Sequence, residues 1–319
     1  MLDQFFSLSH RHTTCRIESV AGFTTFLTMA YIIFVNPSIL ADGTGMDKDG
    51  VIAATCVVSA LASILVGVCA NAPIAMAPGM GLNAFFAYSL VLGDGVNWET
   101  ALGVVFLSGV FFLILSVLGL RRKLVEAIPH ALISAISVGI GLFITFIGLR
   151  NLGVIVAGTP ATLVQAGPIT ATVGIGLVGL LVMIFLEARK VTGALLIGIM
   201  VSTGLALAFG QVETPEVWWS FNLKINTVAL KLDILGALKW SLFGSIFSLM
   251  FMDMFDSVGT LVACCHKADL VDEDNHIQGL DRLLGIDAVA TMIGAALGTS
   301  TTTSYIESAA GIEQGGVPA

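Results

Sequence analysis

Windows of roughly twenty apolar residues recur along this sequence, and a helix of that length crosses the ~30 Å hydrocarbon core of a bilayer. They fall at 19–40, 51–70, 74–92, 100–120, 131–149, 169–187, 192–210, 236–262, 283–298 and 302–317. Only 11% of the 319 residues are charged and 56% are hydrophobic, where a soluble domain carries about 25% charge. The chain therefore reads as an all-α polytopic membrane protein. Its formal charge of -8 says less than where the charges fall.

The polar, basic start "MLDQFFSLSHRHTTCR" does not read as a cleavable signal peptide. Alternate connections collect Arg11, Arg16, Arg121, Arg122, Lys123, Arg189, Lys190, Lys267 and Arg282 on one side. The other side holds Lys48, Arg150, Lys224, Lys231 and Lys239. Basic loops stay in the cytoplasm, so the expected topology is multi-pass in the cell (inner) membrane with a cytoplasmic N-terminus. The five cysteines show no CxxC or paired metal-ligand spacing and read as structural. No metal or cofactor is expected.

Two windows are poor lipid-facing helices. The third, "NAPIAMAPGMGLNAFFAYSL", places Pro73, Pro78, Gly79 and Gly81 at membrane depth. The tenth is the hydroxyl-rich stretch "GTSTTTSYIESAAG". Irregular backbone there survives only where protein or a wet cavity satisfies its polar groups. Sliding the sequence by 221 positions lays "FLTMAYIIFVNPSIL" on "FSLMFMDMFDSVGTL", with Phe26/Phe247, Met29/Met250, Phe34/Phe255 and Leu40/Leu261 identical. The same offset sets Pro78 on Thr299 and Phe86 on Glu307. With seven windows before the second copy, the copies face opposite ways. Inverted repeats with paired interrupted helices are the pattern of secondary transporters that bind cargo near the midplane.

Asp253 and Asp256 lie in the eighth window, Asp287 opens the ninth and Glu307 lies in the tenth. A carboxylate at that depth costs about 2.5 kcal/mol or more and normally faces a cavity or a partner. Loss of water favours the neutral acid over its anion, which is the physics of a proton-coupled carrier. The hydroxyls of 299–304 are expected to satisfy freed backbone groups and to donate to Glu307. An uncharged heteroaromatic ligand suits such a place: a carboxylate accepts its N–H and an aromatic ring stacks on it. Tyr305 and Phe86 are the candidate rings, and Asn83 is a further candidate contact. Asp253 is expected to be a helix-positioning polar contact, and Asn36 with Pro37 a helix end.

"AGFTTFLTMAYIIFVNPSIL", "APGMGLNAFFAY", "MFMDMFDSVGTL" and "TSTTTSYIESAAGI" resemble the nucleobase–cation symporter-2 purine permeases, in the adenine/guanine/hypoxanthine branch. The resemblance runs over essentially the whole chain. It implies fourteen spans in two inverted sevens, with spans 1–4 and 8–11 as core and 5–7 and 12–14 as gate. It also implies a short strand in each of spans three and ten, with the base held between them. Asp256 in "FDSVGT" and Glu307 in "YIES" match the family's site carboxylates. Tyr305 and the Ile306 backbone would line the base, Thr260 falls where relatives keep a polar group, and Asp287 matches a family acid. The implied activity is proton symport of a purine nucleobase by alternating access. The implied partners are the base, protons and membrane lipid, with no nucleic acid, no enzymatic reaction and a homodimer as a candidate assembly.

On this reading residues 1–18 form a cytoplasmic tail, 19–212 the first repeat and 213–319 an incomplete second repeat. Family members follow "GG" with Arg-Thr-Gly, where this sequence reads "GGVPA". Dropping one base from codons for Arg-Thr-Gly yields Val-Pro-Ala, so the expectation is a shifted or truncated reading frame of about ten spans that does not transport alone. Three rivals fit less well. An anion carrier of the same architecture would want basic residues at the site. An intramembrane aspartyl protease would want a GxGD context, which "FDSVGT" lacks. A channel would not need the paired acids.

Overall fold

A computed structural model describes residues 13–119, 130–158, 162–212, 224–268, 270 and 279–315. Arg11, Arg121, Arg122, Lys123 and the closing residues 316–319 lie outside the described residues. The chain divides into two compact units, residues 1–136 with 223–319, and residues 137–222.

In the first unit, α1 (Cys15–Met29) is capped by Thr14, whose hydroxyl accepts the Ile17 N–H. The helix breaks at Ala30–Tyr31 and resumes as α2 (Ile32–Thr44), which ends on Gly45 in the left-handed region at φ 75°. Asp47 caps α3 (Lys48–Leu65), accepting the Gly50 N–H at 3.0 Å, and π-helical turns carry that helix on to Ala70. The third window starts not as a helix but as strand β1 (Met76–Pro78). It turns helical only at α4 (Met80–Ala84), which widens into π-helical turns through Gly93. Next comes α5 (Trp98–Val117).

In the second unit, the part of α6 (His130–Leu152) from residue 137 leads into the hairpin β2 (Ile155–Ala157) and β3 (Val164–Ala166). Helices α7 (Ala171–Ala188) and α8 (Ala194–Ala208) then pack together. A Cβ added at Gly179 of α7 would lie 1.7 Å from Ser202 Oγ of α8. This is the close approach by which membrane helices gain packing where water exclusion offers little.

The chain re-enters the first unit through the short α9 (Ile234–Ala237), then α10 (Phe243–Lys267) and α11 (Leu280–Leu297). Strand β4 (Thr302–Ser304) and the short α12 (Ser308–Glu313) close the described chain. Met250, Met254 and Leu261 of α10 pack with Phe112 of α5 and with Leu283 and Leu284 of α11. Among the described residues, five helical segments are long and apolar enough to cross a membrane: Cys15–Thr44, Lys48–Ala70, Trp98–Val117, Ala171–Ala188 and Trp240–Lys267.

Candidate functional site

β1 and β4 meet as an antiparallel pair, Met76 opposite Ser304, Ala77 opposite Thr303 and Pro78 opposite Thr302. The ladder runs one bond further at each end. Gly79 donates to the Thr301 carbonyl at 2.9 Å and Tyr305 to the Ala75 carbonyl at 3.0 Å. Two strands of three residues leave outward main-chain groups that must be paired in the absence of water, and hydroxyls from three helices pair them. Ser63 of α3 bonds both the N–H and the carbonyl of Met76. Thr291 of α11 accepts the Thr302 N–H at 3.2 Å and lies 2.9 Å from the Thr302 carbonyl. Ser308 accepts the Ala75 N–H. The strands begin at Met76 and Thr302, further apart than the 221-residue offset that aligns the first and eighth windows. Phe86 and Glu307 are therefore not counterparts.

The acids sort into two depths. Asp256 on α10 and Glu307, just before α12, are each half-buried. They lie close enough to act on each other electrostatically. Asp253 and Asp287 are closed off, at 1% and 0% exposure. Thr291 Oγ1 lies 3.0 Å from Asp253 Oδ2, and Ser257 donates to Asp287 Oδ2 at 2.5 Å. Asp253 thus sits as the helix-positioning contact that its place in the sequence suggests.

The hydroxyl run behaves differently from expectation. Glu307 draws its donor not from the 299–304 hydroxyls but from the break in the first window. Tyr31 Oη donates to Glu307 Oε1 at 2.6 Å, and Thr28 Oγ1 lies 3.4 Å from the Glu307 carbonyl. Hydroxyls of the run turn to other neighbours instead. Thr299 receives the Asn36 amide at 3.1 Å, Thr303 meets Ser257 at 2.9 Å and Ser304 meets Thr260 at 2.5 Å.

The remaining candidates spread over the frame around this centre. Tyr305 is buried and spends its hydroxyl on the Pro78 carbonyl at 2.6 Å. Ile306 is 47% exposed beside it. Phe86 and Asn83 have no exposed surface. Asn83 donates through Nδ2 to Asn36 Oδ1, and Asn36 donates in turn to Thr55 at 2.8 Å and to Thr299. Asn36 and Pro37 lie inside α2 and not at a helix end as the sequence suggested, and Asn36 is a hub tying α2, α3, α4 and the approach to β4. Glu307, Asp256, Tyr305, Ile306 and Thr260 gather at the strand crossing, Asp287 lies behind it, and Asn83 and Phe86 stand in the packed frame.

Sequence reasoning missed Tyr31, Ser257 and Thr291. The available signal was chemical. A tyrosine in an otherwise apolar span must find an acceptor for its hydroxyl, and Tyr31 is one of three in the chain. An apolar cavity of about 500 Å³ lies beside α1, α2 and α3, lined by Phe26, Met29, Ile33, Ser59 and Ser63 among others. Neither Asp256 nor Glu307 lines it, so the acids and this cavity do not coincide.

Two broken segments meeting as a strand pair inside a helical membrane body define a transporter-like protein. The transmembrane domain of a cyanobacterium bicarbonate transporter, BicA, shares this fold with a TM-score of 0.63 at 16% identity, covering 92% of this chain and 77% of that one. Residues 16–319 match the profile of the Permease family, to which the chain belongs. The adenine permease AdeP of Escherichia coli (strain K12) is 41% identical over 317 residues, 99% of this chain and 71% of that protein. The guanine/hypoxanthine permease PbuO of Bacillus subtilis (strain 168) is 39% identical over 319 residues, 98% of this chain and 73% of that protein.

Proposed function

We propose that this permease carries a purine nucleobase (adenine, guanine or hypoxanthine) across the cell membrane together with protons. The observation that carries the reading is the pair of half-buried carboxyl groups, Asp256 and Glu307, beside the β1–β4 crossing. The names of relatives such as AdeP and PbuO support the choice of cargo.

In this mechanism Asp256 and Glu307 accept N–H groups of the base. Ile306 presents its main chain to the base edge, and the Tyr305 ring, fixed through its hydroxyl to Pro78, backs the strand pair against which the base lies. Thr260 holds Ser304 in place, while Asn83 and Phe86 keep the frame rigid. An anionic cargo is disfavoured, because two acids would face it with the same sign. The carrier works by alternating access between inverted repeats, its N-terminus in the cytoplasm, and Asp287 takes part in proton coupling.

Binding of radiolabelled adenine, guanine and hypoxanthine to the purified chain in detergent tests the site without requiring a full transport cycle. Asp256→Ala and Glu307→Ala are each expected to weaken binding by at least tenfold, the loss of one charge-assisted hydrogen bond of roughly 1.5–3 kcal/mol. Unchanged binding in both variants would refute the assignment. Uptake into cells that collapses with a proton uncoupler supports symport, and uptake indifferent to the uncoupler defeats it.

A further inference from the structure

Glu307 is fixed twice, once through its main chain and once through its carboxylate. Its carbonyl accepts the Ala310 N–H at 3.0 Å, which sets the backbone in the turn leading into α12. Its side chain is held from far away in the sequence, where Tyr31 Oη donates to Oε1 at 2.6 Å. That separation is in the range of a hydroxyl bonded to an ionised acid, a stronger bond than one between neutral partners. Tyr31 stands at the break between α1 and α2 and is only 7% exposed. A packed ring gives its hydroxyl little room to follow a moving carboxylate, so Oε1 is anchored in place. Among the described residues no hydrogen bond is directed at Oε2.

A carboxylate with one oxygen anchored does not treat all purines alike. Hypoxanthine offers a single N–H on its six-membered ring, beside a carbonyl. Adenine offers an amino group there, beside a ring nitrogen that only accepts. Guanine differs from hypoxanthine by one exocyclic amino group, which puts two parallel donors side by side. Such a fork is best met by both oxygens of a carboxylate at once, as a guanidinium is. Meeting it requires the carboxylate to turn edge-on with Oε1 and Oε2 both available. Anchored to Tyr31, Glu307 presents Oε2 alone, and the second donor of guanine enters the site without its acceptor. A donor desolvated and left unpaired costs binding energy.

We propose that Tyr31 is a specificity-determining residue, which holds Oε1 of Glu307 so that the site favours bases presenting one N–H to that acid over guanine with its pair. The proposal rests on the reading above that Glu307 accepts an N–H of the base. It adds what that reading leaves open, namely how one acid distinguishes bases that share the same ring system. Tyr31 acts through Glu307, and its ring is part of the packed frame around Met29, Ile32, Ala77 and Tyr305. Tyr305 does not duplicate it, because its hydroxyl is spent on the Pro78 carbonyl.

The test is competition of unlabelled guanine and hypoxanthine against a radiolabelled base on the purified full chain in detergent. The unmodified chain should bind hypoxanthine more tightly than guanine. In Tyr31→Phe the carboxylate is released. Hypoxanthine should weaken by about tenfold, the worth of one hydrogen bond to a charged group, while guanine recovers that loss through the second oxygen. The ratio of the two affinities therefore moves by about tenfold toward guanine. A purely structural role for Tyr31 would weaken both bases equally and leave the ratio where it was. In the Glu307→Ala background, Tyr31→Phe should no longer move the ratio. Guanine binding more tightly than hypoxanthine in the unmodified chain would overturn the proposal without any variant. An unchanged ratio in Tyr31→Phe, with binding still lost in Glu307→Ala, would overturn it while leaving the site intact. Binding of both bases unaffected by Glu307→Ala would bring down the site assignment and this proposal together.

Discussion

Thr291→Val tests whether side-chain hydroxyls stand in for missing ladder partners at the strand crossing. Valine matches threonine in shape, so the change removes a hydroxyl without opening a cavity. In the structure that hydroxyl accepts the Thr302 N–H and faces both the Thr302 carbonyl at 2.9 Å and Asp253 Oδ2 at 3.0 Å. All three residues are buried. Interhelical hydrogen bonds in membranes average only about 0.6 kcal/mol, because the unfolded chain in lipid finds other partners. Here, however, one of the groups left behind is a strand N–H that cannot bond within its own helix, and an unsatisfied buried donor costs about 1–3 kcal/mol. The cost of the stranded N–H should dominate, giving a loss of about 2 kcal/mol. For a chain of this size it amounts to a fall of roughly 3 °C in the melting temperature. The measurement is thermal unfolding in detergent, with Thr291→Ser as the control that keeps the hydroxyl. A melting temperature for Thr291→Val equal to that of the unmodified chain would refute the idea that this hydroxyl completes the ladder.

Two further changes probe other parts of the frame. Tyr31→Phe removes the donor on Glu307 Oε1 and frees the carboxylate to turn; purine affinity should fall by about tenfold, the worth of one hydrogen bond to a charged group, in the same radioligand assay. Gly298→Ala meets two obstacles at once, a left-handed φ of 90° and a Cβ that would fall 2.6 Å from the Val228 side chain. It should destabilise the fold by about 2–4 kcal/mol, visible as lower melting temperature and yield, whereas Ala at Gly204, with nothing near its added Cβ, should be neutral.

How far the site is legible in the sequence differs from residue to residue. Asp256 and Glu307 stand out because charge is expensive in hydrocarbon, and any acid in an apolar window advertises a partner or a cavity. Pro78 and Gly79 advertise broken backbone in the same way. Tyr31, Ser257 and Thr291 carry no comparable signal. Serine and threonine in a membrane helix can satisfy themselves on the preceding turn, as Thr28 and Ser59 do here on Thr25 and Thr55, so their presence says nothing about who needs them. Asn36 reads as a helix end because Pro37 follows it, yet its amide binds residues 19 and 263 positions away. Glu307 follows a run of hydroxyls in sequence, and instead takes its donor from a helix break 276 positions earlier.

The amino-acid sequence alone determined the solvent, the helical class and the places where helices must fail. Those follow from transfer free energies and backbone constraints that act residue by residue. Only the tertiary structure decided that β1 pairs with β4 in the Met76–Ser304 register, and which hydroxyl serves which acid. A hydrogen bond is made or lost within a few tenths of an ångström, and the strands that meet at this crossing lie more than two hundred residues apart along the chain, where no local pattern can bring them into register.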